Sequence, residues 1–305
     1  MPVSPRRSSV TTRATRVNVR TAGGVCNGTL GELFQGPVTY HGRESIGLIS
    51  FPVDRYAWAY FAEGDGDPDP VPAMPKAARA ARLFLRRYGL RLPPGRWSRH
   101  SELDVGAGMA SSTADIVATL RTLFQFFGLP YDQEVVTGVL ARIERADSVF
   151  LDDFALYLSD RHQVVEGLGT SVGFHTCSVV EAGVVDTCAV TPALLRHYRA
   201  HRHSYEACLA EMLRGFRTGD AAAVARAATV SAGLSQQVLP KETYEAVAAN
   251  RAHFGADGVF VAHTGGVIGY LFTRRLARSR MDDLSAFFRE LGHQCSFAWG
   301  GYGGA

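Results

Sequence analysis

The chain has 305 residues and a formal net charge of +3, with 46% apolar and 20% charged residues. That usage is ordinary for one large or two modest globular domains, and no apolar run reaches the roughly 18–20 residues of a membrane helix. Residues 1–20 hold five arginines and no acid, so the other 285 residues carry a net charge of −2, which removes the electrostatic case for nucleic acid.

Residues 1–16, MPVSPRRSSVTTRATR, are rich in Ser, Thr and Arg and lack the apolar core of a secretory signal. They are expected to form a disordered leader, a transit peptide being the alternative on composition. From Val17, VNVRTAGGV predicts a strand running into a glycine turn, and residues 44–63 predict one or two strands from their β-branched and aromatic content. Residues 64–75 are loop-like, Pro75 opens a helix that Gly89 stops, and a second helix is expected from Ser111 to Phe127. A third follows from Asp132 to about Ala146. Residues 153–186 return to strand character, residues 192–254 are helical, and 257–272 read as a hairpin. A helix over 281–291 and a short glycine-rich tail close the chain. The order predicts an α+β protein in two layers, with two lobes meeting near residue 187.

Five scattered cysteines without a C-x-x-C pair indicate neither a zinc site nor a disulfide framework, and fit a reducing cytoplasm. Lysine occurs only at positions 76 and 241. A catalytic lysine would have few places to be.

The chemistry concentrates in three glycine-rich segments. In Val105–Gly106–Ala107–Gly108–Met109–Ala110–Ser111–Ser112–Thr113–Ala114–Asp115, two glycines and three small hydroxyl residues lead into a helix. Glycine lets a backbone approach a ligand closely, and a helix N-terminus supplies open N–H groups and a positive dipole end, the ingredients of an anion site. The plain alternative is a glycine turn with a serine N-cap. The segment has neither the G-K-[ST] of a Walker loop nor a third glycine for a dinucleotide fingerprint. Gly28–Gly36 (GTLGELFQG) and Val261–Gly269 (VAHTGGVIG) would each be a turn by themselves. Their intervals, about 75 and 155 residues, set them far apart in the chain.

These three segments, in this order, resemble the three motifs of the GHMP kinases; GELFQG, FPVDRY and GMASSTAD resemble more narrowly the L-threonine kinase branch. The resemblance implies a two-lobed fold. An N-terminal ATP-binding lobe like ribosomal protein S5 domain 2 would span 17–186, and a ferredoxin-like C-terminal lobe 187–305. It implies that Gly106, Gly108, Met109, Ala110, Ser111, Ser112 and Thr113 wrap the ATP phosphates, with Ser112 or Thr113 as a hydroxyl ligand for Mg²⁺. Gly31, Glu32 and Gln35 would line the substrate pocket, with His263, Thr264 and Gly265 near the substrate or bracing the phosphate loop. Where the branch carries E-P-T-D, this chain has Glu144–Arg145–Ala146–Asp147. Asp147 is then the catalytic acid and Glu144 a second metal ligand, with Asp152 and Asp153 as neighbouring alternatives. Two departures, added residues between Cys26 and Gly31 and HTGGV in place of H-S-G-T-V, fall where substrate is held.

The expected activity is transfer of the ATP γ-phosphoryl to an amino-acid hydroxyl, that of L-threonine first. Other hydroxy amino acids or amino alcohols, or a non-catalytic nucleotide-binding homologue, are the alternatives. The expected protein is a cytoplasmic monomer or homodimer with no nucleic-acid or membrane partner.

Overall fold

Two long antiparallel strands, β1 (Thr21–Tyr40) and β2 (Arg43–Asp67), open the fold in the computed structural model, which describes residues 20–182 and 187–302. The leader expected at 1–16 lies outside the described residues, and the expected lobe boundary falls at the edge of the undescribed segment 183–186. The two strands join through His41 and Gly42, both at positive φ, the arrangement that suits the twist of a two-residue hairpin. The glycine turn predicted over 28–36 is corrected: the segment stays inside β1. Register shifts between Asn27 and Phe34 absorb it as irregularities in the ladder, so the glycines bend a strand instead of ending it.

Helix α1 (Pro75–Tyr88) begins on its proline and ends on Gly89 at φ 63°, as its sequence signals require. Strand β3 (Gly95–Ser101), not anticipated, pairs with β2. Helix α2 (Ser111–Phe127) buries 13 of its 17 residues between the β1–β2 sheet and α1, and Gly128 caps it. Helix α3 (Gln133–Leu140) starts on Asp132, whose carboxylate accepts from the Glu134 and Val135 N–H groups. It ends six residues before the predicted Ala146, which frees residues 141–153 as an irregular connection.

Strands β4 (Phe154–Leu158), β5 (Gln163–Gly169) and β6 (Gly173–Val180) follow. Next come α4 (Thr187–Ala200), α5 (Arg202–Thr218), α6 (Ala221–Gln236) and α7 (Tyr244–Asn250). Strands β7 (Gly258–Val261) and β8 (Val267–Phe272) form the expected hairpin, and α8 (Arg278–Glu290) leads to β9 (Ser296–Gly301). The start of the glycine-rich tail, to Gly301, is therefore part of a strand. It pairs with β6 over six residues, and the missing side chain of Gly300 admits the Phe51 ring, 2.2 Å from where a Cβ would sit.

The sheet order β1-β7-β8-β6-β9-β2 returns to β1, because β1 and β2 also pair directly. Two joints in this ring consist of one residue pair each, Glu32↔Val261 and Val53↔Gly300. Phe51 fills the middle, edge-on to Phe174 and Phe260 with ring centroids 6.0 and 5.2 Å away. Helix and sheet are mixed throughout, and no described helix is long and apolar enough to cross a membrane.

Candidate active site

The three glycine segments converge, backbone against backbone. The Gly266 N–H donates to the Ala107 carbonyl at 2.9 Å, and the Thr29 N–H donates to the Met109 carbonyl at 3.0 Å. A Cβ on Gly265 would lie 2.4 Å from the Gly108 Cα, and one on Gly31 would lie 2.4 Å from the Ala262 Cα. Only glycine permits those approaches, and Gly31 and Gly108 also sit at φ 85° and 86°, where side chains are strained.

This junction sets the start of α2. Ala110, at φ 53°, occupies the N-cap position and offers no side-chain cap, so the serine N-cap reading is corrected. The N–H groups of the first turn are left for an outside acceptor, at the positive end of the helix dipole. Beside them stands Glu144, delivered by the irregular stretch after α3. Ser112 Oγ donates to Glu144 Oε2 and Thr113 Oγ1 to Oε1, each at 2.9 Å, and the Lys76 ammonium pairs with the same carboxylate. Serine hydroxyl, carboxylate and ammonium thus meet at one helix end.

The residues that follow Glu144 border a cavity of about 150 Å³ whose lining includes Glu32, Gln35, Arg145, Asp147, Ser159 and Thr264. Glu32 is buried on β1, and its Oε2 accepts from the His263 backbone N–H at 2.9 Å and lies 3.1 Å from His263 Nδ1. His263 Nε2 in turn meets Ser231 Oγ at 3.0 Å, and Gln35 donates from Nε2 to the Tyr198 hydroxyl at 2.9 Å. Asp147 accepts from Ser50 Oγ at 3.3 Å, and Ser50 stands across the ladder from Glu32. The Asp147 carboxyl is pushed up to about 7, by burial first and by the Glu32 charge next, with the Ser50 hydroxyl opposing the rise and Glu144 adding to it. A carboxyl poised near neutrality beside a small polar cavity suits proton transfer.

The neighbouring acids are placed differently. Asp115 pairs with Arg99 at 3.3 Å, Asp54 accepts from the Trp299 N–H at 3.0 Å, and Asp152 is exposed near Arg121. None of them, nor Asp153, lines the cavity. Of the residues implied by the motif resemblance, Glu32, Gln35, Thr264 and Asp147 line it, while Gly31, His263 and Gly265 form its structural surround. Sequence reasoning passed over Lys76 and Arg145. The signals were there: Lys76 is one of two lysines and follows the helix-opening proline, and Arg145 stands where the resembled motif has proline.

A family model for the GHMP kinases N terminal domain matches residues 75–159, from α1 through β4. The chain is 29% identical over 262 residues to the L-threonine kinase of Citrobacter freundii, covering 82% of this chain and 85% of that protein. It is 26% identical over 267 residues to the L-threonine kinase of Salmonella typhimurium, covering 82% of each. Among solved structures, the homoserine kinase of Cytophaga hutchinsonii superposes with a TM-score of 0.71 at 13% identity, over 98% of both chains. The family model falls on the segment carrying α2 and Glu144–Asp147, and both curated relatives span most of the remainder. Residues 75–159 thus match the GHMP kinases N terminal domain, and the chain is a phosphotransferase that acts on a hydroxyl group.

Proposed function

We propose that the chain transfers the γ-phosphoryl of ATP to the side-chain hydroxyl of L-threonine. The observation that carries this is the Asp147 carboxyl, raised to about 7 at a cavity of about 150 Å³, three residues along the chain from the Glu144 carboxylate that meets the α2 terminus. A small cavity with polar and charged residues in its lining suits a small polar acceptor such as an amino acid. The names of the two curated relatives support threonine within that size class. We assign the lobe containing α2 to an S5-domain-2-like unit and the later lobe to a ferredoxin-like one, split near residue 187.

In this reading the ATP phosphates lie along Gly106–Thr113, on the open N–H groups of α2. The donors beside them, a serine hydroxyl and a carboxylate, are the hard oxygens that suit Mg²⁺, so Ser112 and Glu144 would hold it together with phosphate oxygens. Bound there, Mg²⁺ would neutralise charge on the transferring phosphoryl group. Lys76 holds Glu144 in position from the α1 side. Asp147 aims the acceptor hydroxyl and takes its proton as the new O–P bond forms and the bond from the γ-phosphorus to the bridging oxygen breaks, releasing ADP.

Incubating the protein with ATP and each hydroxy amino acid, and weighing the products by mass spectrometry, tests the reading. Threonine should gain one phosphoryl group fastest; preferential phosphorylation of another acceptor would refute it. Ser112→Ala should weaken Mg-nucleotide binding or turnover several-fold, and unchanged values would remove Ser112 from the phosphate site. Because Asp147 must be ionised to act, kcat/KM should rise with pH through about 7. Glu32→Gln removes a charge that raises the Asp147 carboxyl, so the inflection of that profile should move to lower pH. An inflection that stays in place or rises would contradict the coupling.

A further inference from the structure

We propose that Arg145 binds the α-carboxylate of the acceptor, so that a free carboxylate as well as a hydroxyl is required for entry to the site. The inference rests on the amino-acid kinase reading above and deepens it. It would separate the amino acids from the amino alcohols as substrates.

The charges around the cavity supply the argument. Its lining carries two carboxylates, Glu32 and Asp147, and one guanidinium, Arg145. Each acid nearby already has a partner on the protein: Glu144 has Lys76, Ser112 and Thr113, Glu32 has His263, and Asp147 has Ser50. Arg145 forms no ion pair among the described residues. An exposed arginine is often merely solvated, but this one borders a cavity whose other charges are negative. Its charge is also felt by groups flanking that cavity. Tyr198, behind Gln35, and His162, against Tyr157, are shifted chiefly by burial, and the Arg145 charge acts on both.

A zwitterion matches this pattern. Among the described residues, both side-chain hydrogen bonds of Glu32 fall on Oε2, which leaves Oε1 for the substrate ammonium. The planar guanidinium of Arg145 fits a carboxylate through two parallel hydrogen bonds. Held at those two ends, a small amino acid has its side chain left for Asp147. A neutral group in place of the carboxylate would leave the guanidinium without its anion, which is how a site built for a polar partner rejects an analogue lacking it.

The experiment is a titration of the full-length protein, with a non-hydrolysable ATP analogue present, against L-threonine, L-threoninamide and L-threoninol, and against the corresponding serine and homoserine series. Wild type should bind the carboxylate member at least about tenfold more tightly than its amide or alcohol, the scale of a charge-assisted hydrogen bond. Arg145→Gln should weaken threonine binding by about 10- to 100-fold and abolish the preference for the acid, and Arg145→Lys should fall between. Affinity for the ATP analogue reports whether each variant is folded. Equal binding of acid and amide by wild type would overturn the proposal. So would an Arg145→Gln variant that keeps its threonine affinity and loses only kcat, since Arg145 would then serve the phosphoryl group. If serine or homoserine replaces threonine as the preferred acceptor with the carboxylate requirement intact, the threonine reading fails and the role of Arg145 stands. If only the alcohols bind, both fail.

Discussion

Asp147→Asn is expected to lower kcat by about 10²–10⁴-fold, the usual cost of removing a positioned base, with near-normal affinity for both substrates. An aliphatic hydroxyl is a poor nucleophile, and in the proposed reaction the carboxylate directs it and accepts its proton. Asparagine keeps the shape and can still aim the hydroxyl, so what is lost is the proton acceptor. A kcat within about threefold of wild type would mean that transfer runs by positioning alone.

Stability gives an independent reading of the same variant. The folded state holds the Asp147 proton more tightly than an unfolded chain does, since its carboxyl is raised to about 7. The native protein is therefore fully stabilised with respect to this group below the ordinary carboxyl range. It loses stability as pH rises from there to about 7, and beyond that the penalty is constant. Asp147→Asn carries no such penalty, so it should melt above wild type at pH 8 and lose the advantage toward pH 4. A gain in stability with a loss of activity is the signature of a group kept for function.

The second large effect is expected at Gly265→Ala. Its added methyl would lie 2.4 Å from the Gly108 Cα and 2.5 Å from the Ala107 carbonyl oxygen. Both neighbours are backbone, so neither can turn aside as a side chain would. The strain should cost about 1–3 kcal/mol and push the Gly106–Ala110 loop, the proposed phosphate site, off the α2 terminus. A lowered melting temperature together with at least tenfold weaker nucleotide binding is the expected result. Gly138→Ala serves as the contrast: it sits in α3 with nothing within 4 Å of a Cβ, and it should be neutral or slightly stabilising. Equal behaviour of the two variants would refute the packing argument.

The parts of the fold readable in the sequence were those with local causes. Pro75 and Gly89 bound α1, and Gly128 ends α2, because these residues impose backbone angles that need no tertiary help. The convergence of three distant glycine segments was suggested by their resemblance to known motifs, not by any spacing rule. What escaped was decided by long-range pairing. Strand β1 runs through Gly28–Gly36 because β2 holds it on one side and the α2 loop on the other, and a window of sequence contains neither. Strand β9 exists because β6 offers it an edge and Phe51 needs the space over Gly300. Helix α3 stops early although its periodicity continues, since Glu144 is drawn toward Ser112, Thr113 and Lys76 and Asp147 toward Ser50.

The junction of the three glycine segments divides the site by how it can change. Where Gly31, Gly108 and Gly265 lie against other segments, main chain meets main chain, and almost any side chain there would disturb the loop that opens α2. The cavity beside Asp147 is lined by residues on separate strands and connections, among them Gln35, Arg145, Ser159 and Thr264. Those can be exchanged one at a time without moving the loop. A scaffold of this construction keeps its phosphoryl chemistry fixed while its choice of acceptor stays open to revision, so engineering a new substrate for it is a matter of rewriting one small wall.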